Sequence, residues 1–426
     1  MNSHKLICIL SDPHWPEGYL SGIKDSIVSN SRLCKAALDR GLDKFILTKI
    51  FTGSKWRPMY VETLLEDRGG GTRKISSKTV ADVVESLIGA GWKMGQHQTS
   101  LSIIKVFLPE VDLPSLEVGR SRLFDLAPAN MLLPADLHHL ESLTGYSFKK
   151  KSLLVQSMSH NSDSTAIASY ERLEFLGDAI LEIIVVTELM AYEDKLSHSL
   201  MHLYKTTLVN GDYLSFLALE WKITQKRNDI KEDPRSGLIT KVESLFSLPL
   251  WRFMRHGVFS IGETQREVER RHALLRCDIL HVLESGKEYP WTLLAQIHAN
   301  KFYSDLVESL LGAIWVDSGS LDACKQVLDR MGMFELMHRL VKDRVHALHP
   351  REELCILAGD EEVRYKVQKS EGGGDEWMCT LYVGQSQIIE VFSGVSNDEV
   401  RTRAAEGAVA LLRPVSGRTR SLVTYS

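Results

Sequence analysis

The chain has 426 residues, of which 44% are hydrophobic and 25% charged, with a formal net charge of -4. That composition excludes a disordered chain, and at about 150 residues per domain the length predicts roughly three domains. The near-neutral charge excludes a global basic field, so any contact with nucleic acid must rest on local Lys and Arg.

Taken in chain order, residues 6–10 are apolar, but no cleavage-site pattern follows them and no secretory signal is expected. Residues 78–92 read KTVADVVESLIGAGW and residues 301–315 read KFYSDLVESLLGAIW; Lys, Asp, Val, Glu, Ser, Leu, Gly, Ala and Trp match without a gap. The two segments lie too far apart for a solenoid, so they predict two copies of one domain. Asn30 with Leu33 precedes the first copy as Asn210 with Leu214 precedes the second, and the longer second copy carries an insert near 225–276. Gly69 to Gly71 ahead of Thr72 lacks the spaced Gly-Lys-Ser/Thr of a phosphate loop and reads as a flexible loop. Pro109, Pro114, Pro128 and Pro134 predict an extended linker over 109–137.

Helix is expected over 140–158, and more firmly over 171–192, where Leu173, Leu176, Ile180, Ile183 and Ile184 share a face. The apolar run 176–190 is broken by Asp178, Glu182 and Glu188, so no membrane span is expected. The insert holds eleven Lys/Arg against seven Asp/Glu. Its Arg266, Arg270, Arg271 and Arg276 recur at helical spacing, either as a shared basic face or, more simply, as a solvated helix partnered by Glu263, Glu267 and Glu269. Residues 301–316 form a third helix. A short helix at 351–357, strands at 362–367, 376–383 and 387–392, and a helix at 397–413 then give the order α-β-β-β-α, with a turn at 370–375 and a frayed tail at 416–426. Cys8, Cys34, Cys277, Cys324, Cys355 and Cys379 include no CxxC and no following His pair; zinc and disulfides are not expected, and the thiols suit a reducing compartment.

The chemistry concentrates in five carboxylates. The run ERLEFLGDAI puts Glu171, Glu174 and Asp178 on neighbouring positions of one helix, and the helix from Lys301 puts Asp305 and Glu308 on one face. Each pair alone reads as a wet helix face. Both lie inside otherwise apolar helices, however, and Gly177 and Gly312 offer close backbone approach in helix interiors where glycine is destabilising. Facing acidic groups repel unless a cation intervenes, and oxygen-only ligands favour Mg²⁺ or Mn²⁺ over zinc.

ERLEFLGDAI resembles the signature of the ribonuclease III family, and KFYSDLVESLLGAI resembles that family's second acidic motif. Two such copies followed by an α-β-β-β-α segment resemble the C-terminal part of a Dicer, and LSHSLMHLYKTTLVNGDYLSFLALEW over 196–221 is similar to fungal Dicer-like proteins. The resemblance implies a mainly helical chain. A partial first ribonuclease III domain would occupy 1–108, a linker 109–137, the second domain 138–345, and a double-stranded-RNA-binding-like domain 349–415. It implies that Glu174, Asp178, Asp305 and Glu308 are catalytic and hold Mg²⁺ or Mn²⁺, with Glu171 accessory. Lys301 would meet phosphate, or else serve as a salt bridge to Asp305. The implied activity is endonucleolytic hydrolysis of double-stranded RNA to small RNAs with 3′ overhangs, in RNA silencing and antiviral defence. The two domains would pair within the chain, or the second would form a homodimer. A cytoplasmic location is expected, with a nuclear one the alternative.

The chain departs from the pattern at two places. Asp82, Glu85 and Lys78 match the second acidic motif, but nothing over 1–45 resembles ERLEFLGDAI, so the sequence reads as truncated at the N-terminus, inside the first copy: either a sequence cut short, or a genuine short protein whose first copy would be catalytically silent and at best a pairing partner. The terminal domain carries nine Lys/Arg against twelve Asp/Glu from Arg351 onward, with only Arg401 and Arg403 where the last helix would meet RNA. Protein contacts are its alternative role. For the whole chain, the alternative is a non-catalytic duplex-RNA-binding or assembly fragment. His160 is expected to pack or cap a helix end rather than act as a base.

Overall fold

The computed structural model describes residues 17–46, 76–111, 114–129, 131–166, 168–192, 195–232, 239–369 and 376–413. The apolar start at 6–10, the glycine loop at 69–71, the turn at 370–375 and the tail at 416–426 lie outside them. The chain divides into two compact units, Met1–Pro128 and Ala129–Ser426.

The first unit is helical. Helix α1 spans Glu17–Ile27, α2 Asn30–Asp39, α3 Ser77–Phe107 and α4 Leu116–Leu126. Leu33 and Ala37 of α2 pack with Val80, Ala81, Val84 and Ile88 of α3, all buried. Helix α3 doubles back. Ser100 Oγ donates to the Ile88 carbonyl at 3.0 Å although the two are 12 residues apart, a separation of about 18 Å along a straight helix. Helix α4 corrects the expectation of an extended linker. The proline-free stretch between Pro114 and Pro128 is long enough for three turns, and the Ser115 side chain caps it by accepting from the Val118 N–H.

The second unit opens with α5 (His138–Thr144) and α6 (Lys151–Ser157), followed by α7 (Glu171–Met190), α8 (His198–Leu208) and α9 (Gly211–Glu220). The helix expected over 140–158 is thus two. Gly145 ends α5 at φ 69°, where a side chain would be strained. The buried Asp317 carboxylate then takes the Tyr146 hydroxyl at 2.6 Å and the Lys149 and Lys150 N–H groups at 2.8 and 2.9 Å.

The insert holds elements absent from the sequence reading. Strands β1 (Lys222–Glu232) and β2 (Ile239–Pro249) form an antiparallel ribbon in register from Lys222↔Pro249 to Glu232↔Ile239. A 3-10 turn at Leu250–Phe253 returns the chain to the core, and helix α10 runs from Phe259 to Ser285. Three of the four arginines on α10 are engaged: Arg276 grips Glu220 at 2.6 and 2.8 Å, Arg271 donates to the Ile297 carbonyl at 2.9 Å, and Arg270 pairs with Glu267 at 2.8 Å. Only Arg270 keeps to the expected pairing within the helix; Arg271 and Arg276 are held by tertiary partners, so these three do not form a free basic face.

Helices α11 (Trp291–Ile297), α12 (Phe302–Ser318), α13 (Leu321–Arg330) and α14 (Met333–Lys342) complete this domain. Its centre is the crossing of α7 and α12. Gly177 lies against the Glu308 backbone and Gly312 against the Leu173 carbonyl, so the helices run antiparallel in near main-chain contact. Both are buried on most faces, so their apolar residues extend beyond a single stripe.

The terminal module follows the expected α-β-β-β-α order, as α15 (Pro350–Ala358), β3 (Val363–Lys369), β4 (Trp377–Val383), β5 (Ser386–Gly394) and α16 (Asn397–Leu412). The strands form an antiparallel sheet in sequence order. Leu354 of α15 and Val400, Ala404, Ala405 and Ala408 of α16 close its core over Cys379, Leu381 and Val391. Among the described residues no helix is long and apolar enough to cross a membrane.

Candidate active site

The close crossing of α7 and α12 sets the site. With glycine at the contact, the first turn of α7 and the first turns of α12 approach without intervening side chains. Glu174, Asp305 and Glu308 then each place a carboxylate oxygen within 4.8 Å of the others. Asp305 is 5% exposed. Lys301, just ahead of α12, donates its ammonium to Glu174 at 2.5 Å and to Asp305 at 2.7 Å, while its own side chain is largely solvent-exposed. The Tyr170 hydroxyl donates to Asp305 at 3.4 Å from the residue preceding α7.

The electrostatics follow from this placement. Burial pushes the Asp305 carboxyl above its ordinary value, and its bonds with Lys301 only partly offset this. Partial burial pulls the Lys301 ammonium down, but its bonds to Asp305 and Glu174 outweigh that and leave it raised, so it stays charged at neutral pH. The net arrangement is a compact negative cluster of oxygen donors with one ammonium at its mouth. Such a donor set fits a hard divalent cation, with Glu174, Asp305 and Glu308 as the residues that would hold it.

The other expected residues fall around this trio. Asp178 stands one turn further along α7 and lies outside the close cluster. Glu171 turns away, accepting from Asn161 Nδ2 and Ser169 Oγ at 3.2 Å each. Both readings of Lys301 meet in one geometry: it is a salt bridge to Asp305 and also stands at the opening of the cluster. His160 Nδ1 accepts the Ser162 N–H at 3.1 Å, and its ring meets Tyr170 edge-on at 5.8 Å. Burial lowers its pKa, so it packs as a neutral ring. Tyr170 and Asp317 were not expected. Neither carries a pattern in sequence, although an Asp at the end of the apolar run LLGAIWVD was a signal of a satisfied buried carboxylate.

In the first unit, Lys78 pairs with Asp82 at 2.9 Å, the same i,i+4 pair as Lys301 with Asp305. The surroundings differ. The Asp82 side chain is 47% exposed against 8% for Asp305, and among the described residues no third carboxylate joins Asp82 and Glu85 in a cluster. Of Arg401 and Arg403, the second is engaged within the module. Arg403 pairs with Glu399 at 3.0 Å and donates to the Phe392 carbonyl at 2.7 Å, and Arg401 is half-buried beside the sheet residues Tyr365 and Cys379.

The ribonuclease III domain profile matches residues 4–95 and again 171–319, covering both repeat copies and both acidic motifs. The chain belongs to the ribonuclease III family. Within that family it is similar to fungal proteins named Dicer-like protein 2. It is 41% identical to one from Cryphonectria parasitica over 94% of this chain, 39% to one from Pyricularia oryzae over 93%, and 37% to one from Neurospora crassa over 94%. This ribonuclease III chain spans less than a third of each relative's length: 29%, 28% and 30% in the same order.

Proposed function

We propose that the chain is a metal-dependent endoribonuclease that cuts double-stranded RNA, with its working site in the second copy. The observation that carries this reading is the gathering of Glu174, Asp305 and Glu308 into one oxygen-only cluster with the Lys301 ammonium at its mouth. Family membership and the likeness to Dicer-like proteins support duplex RNA as the substrate. When bound, Mg²⁺ or Mn²⁺ supplies an activated water and stabilisation of the leaving oxygen.

The chain's own groups prepare that chemistry. Glu174, Asp305 and Glu308 hold the ion, and Asp178, one turn along, is the fourth acidic group. Lys301 relieves carboxylate repulsion and offers a cation to the phosphate. Tyr170 orients Asp305 through its hydroxyl. The first copy, with its exposed Lys78–Asp82 pair, is not where we place the working site. In this reading the products are short duplexes with 3′ overhangs that serve RNA silencing, including antiviral defence.

The test is cleavage of an end-labelled RNA duplex by the purified chain with Mg²⁺ or EDTA. We expect cuts that need Mg²⁺, are abolished by Asp305→Ala, and survive Asp82→Ala. A folded chain that binds duplex but leaves it intact under every condition would replace this reading with that of a binding module.

A further inference from the structure

By its element order the terminal module is expected to read duplex RNA with the start of its last helix. In this chain that start is acidic, and one of its faces is turned inward. Asp398 and Glu399 open α16. Glu399 is 1% exposed; it accepts the Val395 N–H at 3.2 Å and a hydrogen bond from the Gln296 side chain of α11, and it is ion-paired with the Arg403 guanidinium at 3.0 Å. Thr402, on the same face, is also 1% exposed. Asp398 is held by Arg351 at 2.9 Å.

The grip continues along the module. Just past α16, Arg413 donates to both carboxylate oxygens of Glu353 at 2.8 and 2.9 Å and reaches Glu288 in the connection ahead of α11. Main-chain bonds of 2.9 Å run from Tyr289 to the His346 carbonyl and from His346 to the Lys287 carbonyl. Trp291, the first residue of α11, donates its indole N–H to the Ala347 carbonyl at 3.0 Å and sits 4.8 Å from the His349 ring, which caps α15.

What α11 leads to gives this contact its meaning. The helix ends at His298, a non-glycine residue at φ 47°, a strained left-handed position that persists only when its surroundings fix it. Three residues later Lys301 stands at the threshold of α12, followed by Asp305 and Glu308. Arg271 of α10 holds the same turn from the other side, through the Ile297 and His298 carbonyls at 2.9 and 3.4 Å.

We infer that the terminal module is a brace, not a duplex reader. Its partner is α11 of the same chain, and through α11 it fixes the turn that presents Lys301 and Asp305. The docking half of this inference stands on its own; the positioning half rests on the proposed nuclease activity.

Hydrogen exchange of the whole chain tests the docking. Arg413→Gln and Glu399→Gln each remove one clamp, and Arg364→Gln changes an exposed group on the outer sheet face. We expect the first two to speed exchange about fivefold or more at amides 297–305 as well as in the module, and the third to leave 297–305 unchanged. Kinetics test the positioning. Arg413→Gln should lower turnover at saturating duplex about fivefold with KM within about twofold, and Arg413→Lys should restore part of the loss. Faster exchange confined to 350–412 would overturn the brace. So would a roughly tenfold rise in KM at unchanged turnover for Arg401→Gln, which is the mark of an RNA reader. Exchange needs no cleavage, so a chain that cuts nothing would sink the nuclease reading while the docking result still stood or fell separately.

Discussion

Gly177→Ala adds one methyl group at the crossing on which the site depends. A Cβ there would lie 1.7 Å from the Glu308 carbonyl oxygen and 2.5 Å from its carbon. Ordinary non-bonded contact is about 3.5 Å, so the helices must part by roughly 1.5–2 Å. The obstructing atoms are main chain, which no rotamer change can move aside. Overpacking of this kind costs about 1–3 kcal/mol or more, while the better helix propensity of alanine returns about 1 kcal/mol. The net expectation is a loss of about 2 kcal/mol, or roughly 4–8 °C in Tm for a domain of this size. The same displacement spreads carboxylates that now lie within 4.8 Å, and misplacement by about 1 Å can cost on the order of 100-fold in rate. Thermal unfolding and duplex cleavage measure the two effects. Gly262→Ala, on α10 with nothing within 4 Å of an added Cβ, is the matched control and should stabilise by about 0.5–1 kcal/mol. If Gly177→Ala proved as stable and as active as the parent, the close crossing would not be what holds the site together.

Three further outcomes can be checked by unfolding experiments. Asp317→Asn replaces a 1% exposed carboxylate that accepts three bonds with a group whose NH₂ faces N–H donors; a loss of about 3 kcal/mol in urea melts is expected. Burial pushes the Glu220 carboxyl up, but its bonds with His272 and Arg276 prevail and hold it at about 2. Its folded pKa is below its unfolded one, so its stabilisation, about 3 kcal/mol at most, is complete above pH 4.5 and is lost as pH falls toward 2. Glu220→Gln should flatten the stability profile in that window. His349 is held at about 4 by burial first and then by Arg351, against the opposing charge of Asp398. The unfolded chain therefore takes up the proton first, and stability should decline as pH drops from about 6.5 to 4; His349→Gln, unable to titrate, should remove that slope from a pH series of melts.

The repeat of Lys, Asp, Glu and Gly announced two copies of one domain because nine identities recur at the same spacing without a gap. Gly177 and Gly312 could also be read in advance: glycine inside an apolar helix is destabilising unless another backbone lies against it. The order α-β-β-β-α followed from alternation and turn residues. What the sequence hid were partners supplied from far away. Tyr170 reaches Asp305 across 135 residues, and Asp317 breaks the expected 140–158 helix from 167 residues downstream of Lys150. The insert arginines show the converse. Their helical spacing was plain, but their use depended on Glu220 and on carbonyls at 297 and 298, which no local pattern announces. The ribbon of β1 and β2 was missed because its polar, charged strands carry little of the apolar alternation by which strands are recognised.

That ribbon also has a practical consequence. Eleven paired positions at about 3.3 Å each make an arm roughly 35 Å long. It leaves the core at Trp221 and re-enters at Leu250, where the Leu250 N–H meets the Trp221 carbonyl at 2.8 Å. Neither α7 nor α12 contributes to it. A two-stranded ribbon on its own is barely stable in water, so amides of the paired strands remote from Trp221 and Leu250 should exchange before those of the buried helices α7 and α12.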